Sequence, residues 1–229
     1  MMNLDFHHVC FPGTFTESTL RETLKKGFQA GWTTTIEGDT DVCAYTDLDA
    51  KQYLEWTDTE TAINELTTNK NGHLVIFVDG SSFDFKFKVL QNWGEYGLPE
   101  LEGVIVTWHR SLSRKHPEQT TNYLFEVSQI IQKSLDTPFA FSHLARNVDR
   151  EKQVTESDVE VARIPDIYWM MLLSDSACER IDRDRLRTAP VWKSELLTDS
   201  GIGVVATGDP YHYTKEKKEQ IRTHIERET

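Results

Sequence analysis

Residues 72–89 read GHLVIFVDGSSFDFKFKV. Leu74–Val78 is an unbroken apolar run, as a strand buried on both faces requires. Asp79, Gly80, Ser81 and Ser82 have the chemistry of a turn. Phe83, Phe85, Phe87 and Val89 then alternate with Asp84, Lys86 and Lys88. That period of two gives a strand one buried and one wet face. The two runs read as a β-hairpin, so at least part of the sheet is antiparallel.

Working outward, residues 16–30 predict a helix, with Leu20, Leu24 and Phe28 on one stripe, Thr16 or Ser18 as cap and Gly31 as stop. Trp32–Ile36 and Val42–Leu48 predict short strands around a Gly38–Asp39 turn. Thr57 and Glu60 have the spacing of a capping box, opening a helix that carries Ala62, Ile63 and Leu66. Val104–His109 predicts a strand, and residues 120–135 a helix whose apolar face includes Leu124, Val127, Ile131 and Leu135. Pro138 stops it. Phe139–Leu144, Ile167–Leu173 and Ile202–Thr207 predict further strands, Ser176–Leu186 a helix, and 214–228 a final charged helix anchored by Ile221 and Ile225. Asp209-Pro210 suits a new helical start. This order is irregular and not strictly alternating. It implies an α+β fold, a mainly antiparallel sheet flanked by helices. Residues 1–229 are expected to form one domain, or two halves sharing a sheet, with a possible seam in the polar stretch 145–160.

The chain has 229 residues, enough to bury a core without disulfides or metal. Its 37 acidic residues outnumber 25 basic ones, for a net charge of −12. That excess disfavours direct nucleic-acid binding and anionic membrane surfaces. Three scattered cysteines, Cys10, Cys43 and Cys178, form no disulfide framework or cysteine zinc motif. No apolar run reaches the roughly 18 residues of a membrane span. MMNLDFHHVC lacks the basic and apolar regions of a signal peptide. A cytoplasmic protein without cofactor is expected.

Motifs of chemistry are sparse. Gly201, Gly203 and Ala206 have the spacing of a dinucleotide fingerprint, but Ile202, Val204 and Val205 prefer a strand where that motif opens a helix. His8 and Cys10 fall on one face of a strand and could ligate a metal, with His7 beside them. No further ligands lie at metal-site spacing, so no metal is expected. There is no nucleophile elbow, SxxK pair or Walker loop. Trp108 and Trp169 lie in strand-like runs and are expected in the core. Trp93 sits in a loop as an exposed anchor or a lid.

Charge placement is more informative. Between Glu37 and Glu65 lie nine acids and one base, Lys51, so this segment carries −8 of the total −12. Tyr45, Tyr53 and Trp56 are interleaved with the acids. Such a surface speeds encounter with a cationic protein, and its aromatics supply anchors. The candidate partner-binding residues are Asp39, Asp41, Tyr45, Asp47, Asp49, Tyr53, Glu55, Trp56 and Asp58. A solvated face with its aromatics turned inward is the plain alternative.

The C-terminal pattern adds a resemblance. Pro165 and Trp169 open the run Ile167–Leu173. The Gly-led run Gly201–Thr207 follows, then Asp209-Pro210 and a last helix. This resembles the ending of toxin-immunity proteins of the immunity-protein-52 type. The matching positions are strands and turns, so no functional residue transfers. The resemblance implies a non-enzymatic α+β protein that neutralises a partner toxin. The sequence thus points to an immunity or inhibitor protein that occludes a basic partner protein. The alternatives are a hydrolase with a carboxylate-lined pocket and a viral or mobile-element protein that mimics nucleic acid.

Overall fold

A computed structural model describes residues 6–34, 42–47, 55–78, 81, 83–94, 98, 100–144, 152–197 and 201–226. For residues 42–47, 55–57 and 143–144 only the backbone is described. The strands are β1 (Phe6–Pro12), β2 (Trp32–Thr33), β3 (Val42–Asp47), β4 (Glu55–Asp58), β5 (Gly72–Val78), β6 (Asp84–Leu90), β7 (Gly103–His109), β8 (Phe139–Leu144), β9 (Met170–Leu173), β10 (Lys193–Leu196) and β11 (Ile202–Val205). The helices are α1 (Glu17–Gln29), α2 (Thr59–Asn69), α3 (Arg110–Lys115), α4 (Pro117–Leu135), α5 (Glu156–Glu160), α6 (Asp175–Cys178), α7 (Arg183–Thr188) and α8 (Lys215–Glu226).

Among the described residues, all eleven strands join one sheet, in the order β10–β11–β9–β8–β1–β7–β6–β5–β3–β4, with β2 also pairing β5. Every pairing is antiparallel. The α+β expectation holds, and the hairpin of residues 72–89 lies within the sheet as β5–β6. Strands on either side of the expected seam pair with each other, Phe141 opposite Met171.

Register explains the core. Val9 lies opposite Val106, Val106 opposite Phe87, and Phe87 opposite Leu74. These four share one face of the pleat and are fully buried. Burying each such phenylalanine or branched side chain contributes about 1.5–3 kcal/mol. Helices cover this face. Phe125 of α4 packs over Gly203 of β11, where an added Cβ would come within 2.5 Å of its ring. Trp32 stands edge-on to Phe85 with ring centroids 5.2 Å apart. It also fills the space above Gly27 of α1, where a Cβ would lie 1.9 Å from the indole.

Local signals place the helices. Thr16 caps α1 by accepting a hydrogen bond from the Thr19 amide at 3.1 Å. Pro117 opens α4, and Asp136 closes it in the left-handed region at φ 52°. Asp209 caps a short 3-10 turn, Pro210–His212, by accepting from the Tyr211 amide at 2.8 Å.

Several expectations change. The cap of α2 is Asp58, not Thr57, because Thr57 is paired with Cys43 in β4. The single helix expected over Ser176–Leu186 is two short ones. Ser174 caps α6, while Asp182 accepts from the amides of Asp184 and Arg185 at 3.0 and 3.2 Å and starts α7. Strand β10 was not expected, since its short KSEL sequence is half-exposed. Within the polar stretch 145–160, residues 145–151 lie outside the described residues. Val154 is nevertheless buried, and Thr155 with Asp158 forms a capping box on α5. Trp93 is fully buried, which rules out an exposed anchor and is compatible with a lid over the core, while Trp108 and Trp169 are core residues as expected.

Candidate functional site

The acidic segment is built into one end of the sheet. β3 and β4 form an antiparallel pair, and β4 is the terminal strand among the described residues. Register sets Tyr45 opposite Glu55 and Ala44 opposite Trp56. On its other side β3 sets Asp47 opposite Gly72 of β5. Four candidate residues, Tyr45, Asp47, Glu55 and Trp56, are thus brought together on one edge hairpin. Asp39, Asp41, Asp49 and Tyr53 lie outside the described residues.

Asp58 follows directly and is exposed. Its carboxylate accepts from the Thr61 amide at 2.8 Å and caps α2. Hydrogen bonding to Thr61 holds its pKa below the ordinary carboxylate value. A charged cap at a helix start also meets the positive end of the helix dipole. Nearby, Arg21 of α1 pairs with Glu17 at 2.9 Å and Glu60 at 3.4 Å and also bonds Asn64. That tie joins α1 to α2, so Glu60 is partly answered within the protein.

The sheet face opposite α1 and α4 carries a polar stripe. His73 lies opposite Lys88, and Lys86 lies opposite Thr107. Thr107 is in turn opposite His8, and the His8 Nδ1 and Thr107 Oγ1 are 3.0 Å apart. His73 is 6% exposed, and neither ring nitrogen has a hydrogen bond among the described residues. Burial, then the charges of Lys86 and Lys88, push its pKa down to about 3. It is therefore neutral near pH 7. Burial pushes the Asp84 carboxyl above its ordinary value. The alternation of residues 83–89 had marked only a wet face here. Lys86 and Lys88 at that period, with His73 on the partner strand, were the available signal for a cationic stripe.

A charge cluster at the other end escaped sequence reasoning. Asp166, 5% exposed, accepts from Lys218 Nζ at 2.6 Å, from the Lys152 and Ile167 amides at 2.8 Å each, and from Arg222. Burial raises its pKa, but these partners together outweigh burial and hold the carboxyl below its ordinary value. The cluster fastens α8 to the sheet, where Ile221 is fully buried.

His8 and Cys10 do lie two apart on β1, and both are buried. Among the described residues no group of three His, Cys, Asp or Glu side chains is placed to hold a metal ion. Gly203 lies inside β11, with no helix opening after it, so the glycine pattern is a strand beneath Phe125. No helix among the described residues is long and apolar enough to cross a membrane.

The chain is similar in structure to the Pseudomonas aeruginosa T6SS protein PA0821, with a TM-score of 0.50 and 10% identity, over 96% of this chain and 72% of that one. At that identity the likeness is one of fold. No protein-family model matches the chain, including any of the immunity-protein-52 type, and no curated protein sequence matches it.

Proposed function

We propose that this protein is a non-enzymatic, cytoplasmic binding protein, an immunity or inhibitor protein that occludes a basic partner protein. The observation that carries the reading is the edge hairpin. The most acidic segment of the chain supplies the terminal strands β3 and β4, with Tyr45 and Glu55 paired across them. A sheet edge offers backbone hydrogen bonds to a partner, and surrounding carboxylates steer a cationic one toward it. The fold likeness to a T6SS protein fits a role beside a secretion system. So does the C-terminal resemblance to immunity proteins. The binding surface comprises Asp39, Asp41, Tyr45, Asp47, Asp49, Tyr53, Glu55 and Trp56. Asp58 contributes charge from the helix start, and the chain acts as one domain.

Capture of the tagged protein from its source extract at low and high salt tests the reading. One stoichiometric basic protein, released at high salt, is the expected result. The variant D47K/D49K then slows association with that protein about tenfold at low salt and flattens its salt dependence. Asp58 stays native in this variant because its loss also disturbs α2. An association rate unchanged by the double reversal would overturn the assignment of this edge.

A further inference from the structure

A groove of about 820 Å³ crosses the strand ends at the other side of the molecule, far along the sheet order from β4. It lies under the C-terminus of α4 and is closed by the start of β8, the start of α6 and the β10–β11 pair. Ile130, Leu196 and Leu197 give it apolar walls, and Leu196 is 59% exposed. Its floor includes Gln132, which is 6% exposed. The Gln132 Nε2 donates to the Thr137 carbonyl at 2.5 Å, which orients the amide. Its Oε1 has no hydrogen-bond partner among the described residues. A buried acceptor left in this state is costly until a donor reaches it.

The charges around the groove favour a cation. Asp136, Asp175 and Glu179 line it against one ammonium, Lys133. Asp175 is paired with Arg183, which leaves Asp136 and Glu179 without an ion pair among the described residues. The C-terminus of α4, a helix of 19 residues, adds its carbonyl end and the negative pole of its dipole. Acceptors and carboxylates above aliphatic walls match a long side chain with an apolar stem and a cationic head.

We infer that this groove takes a lysine or arginine side chain presented by an exposed segment of a partner protein. The stem lies along Ile130 and Leu196, and the head meets Asp136, Glu179 and the Gln132 carbonyl. The inference leans on the proposed function only for the source of the cation. The groove is a second contact, separate from the β3–β4 edge.

The test is a titration with an end-capped tetrapeptide of alternating leucine and arginine, followed by amide NMR shifts. Submillimolar binding is expected, with the shifts centred on residues 129–138, 174–179, 196–197 and 201. Glu179→Lys should weaken binding at least tenfold and Leu196→Ser severalfold. Both positions are exposed, so the fold is retained. The same peptide with glutamate in place of arginine should not bind. Equal binding of the glutamate peptide, or shifts centred on β3 and β4, would overturn the inference. Saturation by spermidine with no response to the peptide would also overturn it, since the groove would then serve a free amine. None of these readouts uses the natural partner, so failure here is distinct from failure of the edge hairpin.

Discussion

At one end of the sheet Asp166 is buried and met by Lys218, Arg222 and two backbone amides. At the other end Asp58 is exposed and is engaged by the first turn of its own helix. Both are aspartates with lowered pKa values. The first joins segments far apart in the chain, because its partners lie 14, 52 and 56 residues away. The second acts within three residues. The acidic count of a segment therefore says little about use. What separates a structural carboxylate from one available to a partner is whether fixed cations have been folded around it. Among the described side chains of the acidic segment, Glu60 of α2 is met by such a cation, Arg21.

The largest expected effect is on the buried end. Asp166→Asn removes the carboxylate charge 2.6 Å from Lys218, whose side chain is only 9% exposed. Breaking a buried pair in this way costs about 3 kcal/mol or more. Urea unfolding of the variant measures it, and no change in midpoint would mean that Lys218 swings out to water. The wild-type acid limb reports this cluster together with Asp158, which lies in the first turn of α5 and pairs with Arg163. The folded pKa values of Asp166 and Asp158 lie below the unfolded value near 3.8. Their contribution is present above that pH and is lost as pH falls through the folded values.

The polar stripe gives the next effect, at milder pH. His73 binds its proton with a pKa of about 3 when folded and near 6.5 when unfolded. Between those values the unfolded chain holds more protons, so stability falls as pH drops from about 6.5 toward 3. His73→Phe should flatten this slope. An unchanged slope would show that the ring gains a proton in the folded state despite Lys86 and Lys88. That outcome would make the stripe open to water, as Asp58 is, and the contrast would narrow.

Asp58→Ala should give the smallest effect, a loss of thermal stability well below that of Asp166→Asn. Asp58→Asn should restore most of it, since asparagine caps equally well. A loss as large as that at Asp166 would mean that the edge depends on Asp58 as the C-terminal end depends on its cluster.

Much of the fold was legible. The alternation at 83–89, the apolar run at 74–78 and the stripe of Leu20 and Leu24 are periodic, and periodicity survives any tertiary setting. Caps were less secure. Thr57 and Asp58 are adjacent and both able to cap, and pairing of Thr57 in β4 decided between them. Strand β10 has two charges in four residues and exists because β11 offers it a partner. For the candidate site, the clustering of acids between Glu37 and Glu65 was visible at once. Its place on the terminal strands was not, because strand order is set by pairings between distant segments.

The sequence by itself determined the α+β class, the antiparallel β5–β6 hairpin, the acidic segment and the core positions of Trp108 and Trp169. These follow from local periods, turn chemistry and composition, which need no knowledge of distant neighbours. Tertiary structure alone decided that β4 ends the sheet, that Trp93 is buried, and that Asp166 meets Lys218 and Arg222. It also decided that Gln132 lies in a groove with Leu196. Each of these depends on contacts across long stretches of chain. Their energies come from burial and from charges brought together at low dielectric, so they arise only once the sheet has closed around them.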